Sequence, residues 1–205
     1  MRVSDRRAPP APGRAYAPQV ALVDEHVVVL ITGISAAGKS TVAERLARRF
    51  ARGVHVRGDV FRRMVVAGRE EMGPDPTAEA RRQLALRYRL GAATADAYHG
   101  AGFSVVVQDV VLGPALGEYV ATIRSRPLVV VVLAPRAEVV AGREARRDKV
   151  AYRPGAHDIE ALDAGLREDT PPIGLWLDTS EQSPEQTVDE VVARGLAEGR
   201  VSSAG

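Results

Sequence analysis

The chain of 205 residues suits a single domain with a full core, and its 45% hydrophobic and 26% charged residues are ordinary for a globular protein in water. A formal net charge of +2 is too small to point to a nucleic acid or a membrane surface as a partner. The absence of cysteine excludes disulfides, thiolate-ligated zinc and thiol nucleophiles. The apolar runs Val27–Ile31 and Leu128–Ala134 are far shorter than the ~20 residues of a membrane span. Arg6-Arg7 is followed by Ala8-Pro9-Pro10-Ala11-Pro12 instead of an apolar signal core, so a cytoplasmic protein is expected. Lys39 and Lys149 are the only lysines among 28 basic residues, and asparagine is absent. Against that bias toward arginine, each lysine stands out.

Residues 1–24, rich in Pro, Arg and Ala with no helical or strand period, are expected to be a disordered tail. The first strand is Val27–Ile31. It runs into Gly33-Ile34-Ser35-Ala36-Ala37-Gly38-Lys39-Ser40-Thr41, followed by a helix with Val42, Leu46 and Phe50 four residues apart. Strand, glycine loop and helix are the setting in which G-x-x-x-x-G-K-[ST] makes a phosphate-binding P-loop. Gly33 and Gly38 allow the tight turn, and the amides of Ser35, Ala36, Ala37 and Gly38 can converge on one anion at the positive helix end. In that pattern Lys39 reaches the β- and γ-phosphates and Ser40 holds Mg²⁺, with Thr41 beside it.

A second strand, Gly53–Arg57, leads into Gly58-Asp59-Val60-Phe61-Arg62-Arg63. After the proline loop Gly73-Pro74-Asp75-Pro76, Thr77 caps a long helix whose apolar face is Leu84, Tyr88, Gly91, Ala95 and Tyr98. A third strand, Phe103–Val107, ends at Gln108-Asp109. A helix over about Ala115–Arg124 joins it to the fourth strand, Leu128–Leu133, whose unbroken valines suit a sheet buried on both faces. Arg136–Lys149 is helical in pattern and crowded with arginines. Asp158 caps a short helix, Ile173–Leu177 is the fifth strand, and Ser183-Pro184-Glu185-Gln186 is a capping box. The last helix turns Val188, Val191, Val192 and Leu196 inward. Strands alternating with helices predict a three-layer α/β fold, a five-stranded parallel sheet with helices on both faces and an Arg-rich lid over about 136–156. One domain over 25–199 and a flexible end at 200–205 complete the expectation.

Ligands in such folds sit beyond the carboxyl ends of the strands, which groups the P-loop, Asp59, Asp109, Arg136 and Asp178 on one rim. Asp59 can take a proton from a substrate hydroxyl, and equally can cap the helix that follows. Asp109 can hold Mg²⁺ or substrate, or close an Asx-turn. Gln108 and Arg62 are candidates for contact with the acceptor. Arg136 is assigned to the nucleotide. Arg143 and Arg147 lie one helical turn apart with Arg146 beside them, suited to the charge of a transferring phosphoryl group, or else paired with Glu144 and Asp148 on a solvated face.

Together these residues resemble the chloramphenicol phosphotransferase-like branch of P-loop small-molecule kinases, from about Val27 to Arg194. Asp59 stands where that family keeps the carboxylate that activates the acceptor hydroxyl. Gln108-Asp109-Val110-Val111-Leu112-Gly113 is similar to its segment after the third strand, where paired acids usually occur; here Gln108 replaces the first. Gly142–Lys149 is similar to its lid helix but one residue shorter, which makes Arg146 and Arg147 interchangeable. Phe61–Tyr98, where the acceptor would sit, resembles the family least. The resemblance implies transfer of the γ-phosphoryl of ATP, with Mg²⁺, to a hydroxyl of a small molecule such as an antibiotic or other secondary metabolite. Gluconate kinase-like, zeta-toxin-like and regulatory ATPase readings remain open beside it. Without asparagine, the Asn-Lys-x-Asp guanine reader of a GTPase is excluded.

Overall fold

The computed structural model describes residues 23–146 and 158–202. Its centre is β1 (Val28–Thr32), every residue of which is buried. Around it the strands β2 (Gly53–Arg57), β3 (Ser104–Gln108), β4 (Leu128–Leu133) and β5 (Leu175–Leu177) lie parallel in the order β2-β3-β1-β4-β5. Val29 is level with Val106 on one side and Val129 on the other; β3 ends level with Ile31, whereas β4 runs on to Leu133, one residue past the end of β1. β3 and β4 are buried throughout, as their uninterrupted apolar sequences require.

Helices cover both faces. α1 (Lys39–Ala47) packs on β3 and on α7 (Pro184–Glu190), which continues through a π-helical turn at Val191–Gly195 into α8 (Leu196–Glu198). α3 (Ala78–Gly100) packs on β3, on α2 (Gly58–Met64) and on α4 (Ala115–Thr122). Beyond β4 come α5 (Ala137–Glu144) and α6 (Ile159–Ala164). The caps follow the sequence: Thr77 accepts from the Ala80 amide at 3.0 Å, Asp158 accepts from Glu160, and Ser183 with Gln186 forms the full capping box.

Four features differ from expectation. β5 starts only at Leu175, because Gly174 adopts a left-handed φ of 78° that extended backbone cannot hold. The stretch of β4 that β5 leaves uncovered is taken by β6 (Arg200–Val201), antiparallel, with Val201 opposite Leu128; these two residues are strand and not a loose end. Tyr98 is 45% exposed and meets Phe103 edge-on, whereas Gly91 and Ala95 of the same predicted stripe are buried. Val23, within the expected tail, pairs with Phe50 beside the C-terminal end of α1; residues 1–22 lie outside the described region.

Leu30 is fully buried at the middle of β1. Leu30→Ala should therefore cost about 2–5 kcal/mol of stability, seen as a lower urea midpoint with little change in slope.

Candidate active site

Gly33 follows β1 directly, with φ 138° and its Cα against the Leu133 carbonyl, so that a side chain there would overlap β4. The loop then turns through Ala36 (φ 60°) and Gly38 (φ 97°), two left-handed residues that aim the intervening amides to one side. Ala37 N–H donates to Ile34 O within the loop, and the amides of Thr41 and Val42 donate to Gly38 O. No hydrogen-bond acceptor for the amides of Ala36, Gly38 and Ser40 occurs among the described residues. With Gly38 as the N-cap of α1, these donors lie at the positive end of a helix. Lys39 is buried and its Nζ donates to Ile34 O at 2.7 Å, so the ammonium is held inside the loop. Ser40 is half-buried at the second position of α1 and Ser35 half-buried in the loop, while Thr41 is exposed.

Arg143, near the end of α5, reaches across to this loop. Its Nη2 donates to Thr179 O at 2.9 Å and its Nη1 to Ala37 O at 3.4 Å. Both partners are carbonyls and neither is a carboxylate, so no opposite charge offsets the guanidinium through these contacts. The expected alternative, pairing on a solvated helix face, does not describe Arg143. Between them lies a cavity of about 360 Å³, lined by Gly38, Thr41, Arg143, Thr179, Gln182 and Pro184 among others. The Thr179 hydroxyl is buried there without a hydrogen-bond partner, a state that costs free energy until a ligand or water satisfies it. Gln182 is oriented by Thr187, whose hydroxyl donates to its Oε1 at 2.9 Å.

Arg136 does not line this cavity, contrary to its assignment to the nucleotide. Its guanidinium is taken by Glu138 at 2.9 Å and by Glu181, with Asp178 at 3.9 Å, and these hydrogen bonds raise its already high pKa. Arg147 falls outside the described residues, and Arg146 folds back onto Gly142 O.

On the other side of the P-loop, Asp59 occupies the first turn of α2, which begins at Gly58 with Arg57 as the cap residue. Asp59 is therefore no N-cap. It sits between Arg63 at 2.9 Å and Arg57 at 3.5 Å, and its Oδ1 accepts no hydrogen bond. Arg62 is drawn to Glu71, which also holds Arg69 at 3.2 Å. Gln108 is buried as the last residue of β3, level with Arg57 of β2 and Ile31 of β1.

Asp109 departs most from its expected role as a metal ligand. Its wholly buried carboxylate is gripped by the fork of Arg87 from α3: Nε donates to Oδ2 at 2.7 Å and Nη2 donates to Oδ1, which also accepts from the Val110 amide at 2.7 Å. Among the described residues no cluster of three metal-ligating side chains occurs. Burial holds the Arg87 guanidinium below its usual pKa, and removing either partner would strand a buried charge at a cost of about 3–5 kcal/mol. Beside it Tyr88, pushed up to about 12 by burial, donates to Val110 O at 2.8 Å. Arg87 was one arginine among many in the helix pattern. Its signal is the 87, 88, 91, 95 stripe, which turns it toward the sheet together with residues that are half or fully buried.

A glycine loop wrapped on a buried lysine, at the point where strand order diverges from β1 toward β3 and β4, defines a P-loop nucleotide-binding fold. The chain belongs to the AAA domain family, which matches residues 28–172. No curated protein sequence matches it. In fold it is similar to a sugar kinase from Janibacter sp. in its unliganded structure, at 24% identity and a TM-score of 0.58 over 84% of this chain and 94% of that one. It is likewise similar to a gluconokinase from Sinorhizobium meliloti, at 21% identity and a TM-score of 0.55 over 83% and 91%.

Replacing Lys39 by alanine removes the buried charge that would meet an anion in the loop. Its affinity for nucleoside triphosphates should fall by roughly 10–100-fold in calorimetry. Thr179→Val, which removes only the unpartnered hydroxyl, should weaken the same binding by a fewfold and leave the thermal midpoint unchanged or higher.

Proposed function

We propose that the protein is a kinase that moves the γ-phosphoryl group of ATP to a hydroxyl of a small molecule. The observation that carries this reading is Lys39 Nζ held by Ile34 O within a loop whose amides of Ala36, Gly38 and Ser40 are available as donors. These groups and Lys39 hold the β- and γ-phosphates of the donor. Arg143 closes over them from α5 and offers its charge to the phosphoryl group in flight. The base lies in the cavity beyond Gly38, against the Thr179 hydroxyl and Pro184. Magnesium, with Ser40 Oγ among its ligands, would neutralise charge on the phosphates when bound.

On the acceptor side Asp59 has the chemistry of the general base. Its Oδ1 accepts no hydrogen bond, with Arg57 Nε 3.5 Å away, while Arg63 holds Oδ2 at 2.9 Å and so orients the carboxylate. The acceptor hydroxyl hydrogen-bonds to Asp59, loses its proton to it as the new P–O bond forms, and the bond from the γ-phosphorus to the leaving oxygen breaks in line.

For the acceptor, the surroundings of α2 and α3 are informative. Met64, Val66, Met72, Leu86 and Leu90 are the large apolar side chains exposed between residues 64 and 90. Single exposed hydrophobes are common, and an acceptor with an apolar frame, such as an antibiotic or related metabolite, would suit side chains of this kind on and between α2 and α3. A mechanical ATPase fits less well, because β4 runs into Ala134-Pro135, whose carbonyls are both capped by Arg167, where an acidic pair would be needed.

Incubation of the full chain with Mg-ATP and a panel of hydroxylated metabolites and antibiotics, read by mass spectrometry, should return one class of compound heavier by one phosphate. Phosphate released only as inorganic ion, with every panel compound unchanged, would favour the ATPase instead. Asp59→Asn should lower the transfer rate by about 10²–10⁴-fold with the KM for ATP little changed.

A further inference from the structure

We propose that Asp109, locked by Arg87, is a positioning residue that sets the place of Asp59, and that it is not a ligand of the catalytic metal. The proposal rests on the reading of Asp59 as the base. It starts from the register of β2 on β3, in which Arg57 faces Gln108, so that the next residues, Gly58 and Asp109, meet at the strand ends. Gly58 is buried, and a Cβ there would overlap Oδ2 of Asp109. The carboxylate therefore lies flat against the backbone at the residue where the chain turns from β2 into α2, one residue before Asp59.

The carboxylate itself has little freedom. Oδ1 accepts from Arg87 Nη2 and from the Val110 amide at 2.7 Å, and Oδ2 accepts from Arg87 Nε at 2.7 Å. A fork-on-fork pair of this kind fixes orientation as well as distance. Arg87 is carried by the 23-residue helix α3, which also packs on α2. The first turn of α2 is thus held from the strand end and from α3 through one buried ion pair. Three hydrogen bonds, and the Gly58 backbone lying against Oδ2, leave this carboxylate little approach for a metal, whereas Asp59 Oδ1 accepts no hydrogen bond. A base misplaced by 1 Å can lose on the order of 10² in rate, which gives a remote residue its leverage.

The test uses Asp109→Asn and, because an unpaired buried charge can unfold the chain, also the paired Asp109→Asn/Arg87→Gln variant, which leaves no charge behind. In hydrogen exchange of the ligand-free proteins, amides 61–64, the ones bonded within α2, should exchange at least 10-fold faster in Asp109→Asn, while those of α1 keep their protection. The paired variant should recover part of the loss. Calorimetry with Mg-ATP should give a Kd and a Mg²⁺ dependence within twofold of wild type. With the acceptor from the mass-spectrometric screen, kcat should fall at least 10-fold at constant KM for ATP, and Asp59→Asn/Asp109→Asn should be no slower than Asp59→Asn alone.

A 10-fold weaker Mg²⁺ dependence would return Asp109 to the metal and overturn the proposal. So would unchanged exchange at 61–64, or losses that multiply with those of Asp59→Asn. A fully active Asp59→Asn would instead overturn the reading of the base, while the exchange data would still report on the clamp.

Discussion

The site exists because β1 is enclosed on all sides. A strand with no exposed residue can satisfy its backbone only through two neighbouring strands, and its side chains only through helices on both faces. β3 and β4 meet the first demand in matched register, and so the chain must leave the sheet at Gly33, between the end of β3 and a β4 that runs on to Leu133. No room remains there for a Cβ, because the Leu133 carbonyl already fills it. The phosphate loop is thus the exit path left open by the burial of valines some distance away. Asp59 and Asp109 are brought to the same rim by the same register, with no local signal of their own required.

Much of this was legible from residue order. The apolar runs located the central strands, because valine-rich segments without alternation suit burial on both sides, and the capping residues Thr77, Asp158 and Ser183 marked true helix starts. Sequence spacing failed where a partner distant in the chain decides a side chain's fate. Asp109 looked like a strand-end carboxylate open to a metal, and nothing nearby announces that Arg87, 22 residues away, takes both its oxygens. The partners of Arg136 were hidden for the same reason: Asp178 and Glu181 arrive from beyond β5. Arginine is so frequent here that charge pattern alone could not sort the paired from the poised.

The structure sorts them by the chemistry of what they touch. Arg57, Arg62, Arg63, Arg69 and Arg87 around the acceptor side all meet carboxylates, the five sharing Asp59, Glu71 and Asp109, so none of them stands as an unopposed cation. Most of these pairs are solvent-facing and add little to stability. Arg143 differs, because carbonyl dipoles orient a guanidinium without cancelling its charge. That distinction, invisible in a list of basic residues, separates a group suited to meeting an anion from groups that hold the fold together.

The division of one flank of β4 between β5 and β6 bears on how the molecule behaves among copies of itself. Three residues cover the upper half of that flank and two run the opposite way along the lower half, so no ladder of free amides and carbonyls long enough to recruit a foreign strand is left on that side. The opposite margin, β2, is five residues long, opens on Gly53 and closes on the charged Arg57, both exposed. Short, glycine-started and charge-ended margins discourage the strand-to-strand stacking that leads toward fibrils. A chain so rich in valine therefore carries its own safeguard against polymerising, and residues as remote from chemistry as Arg200 and Val201 contribute to it.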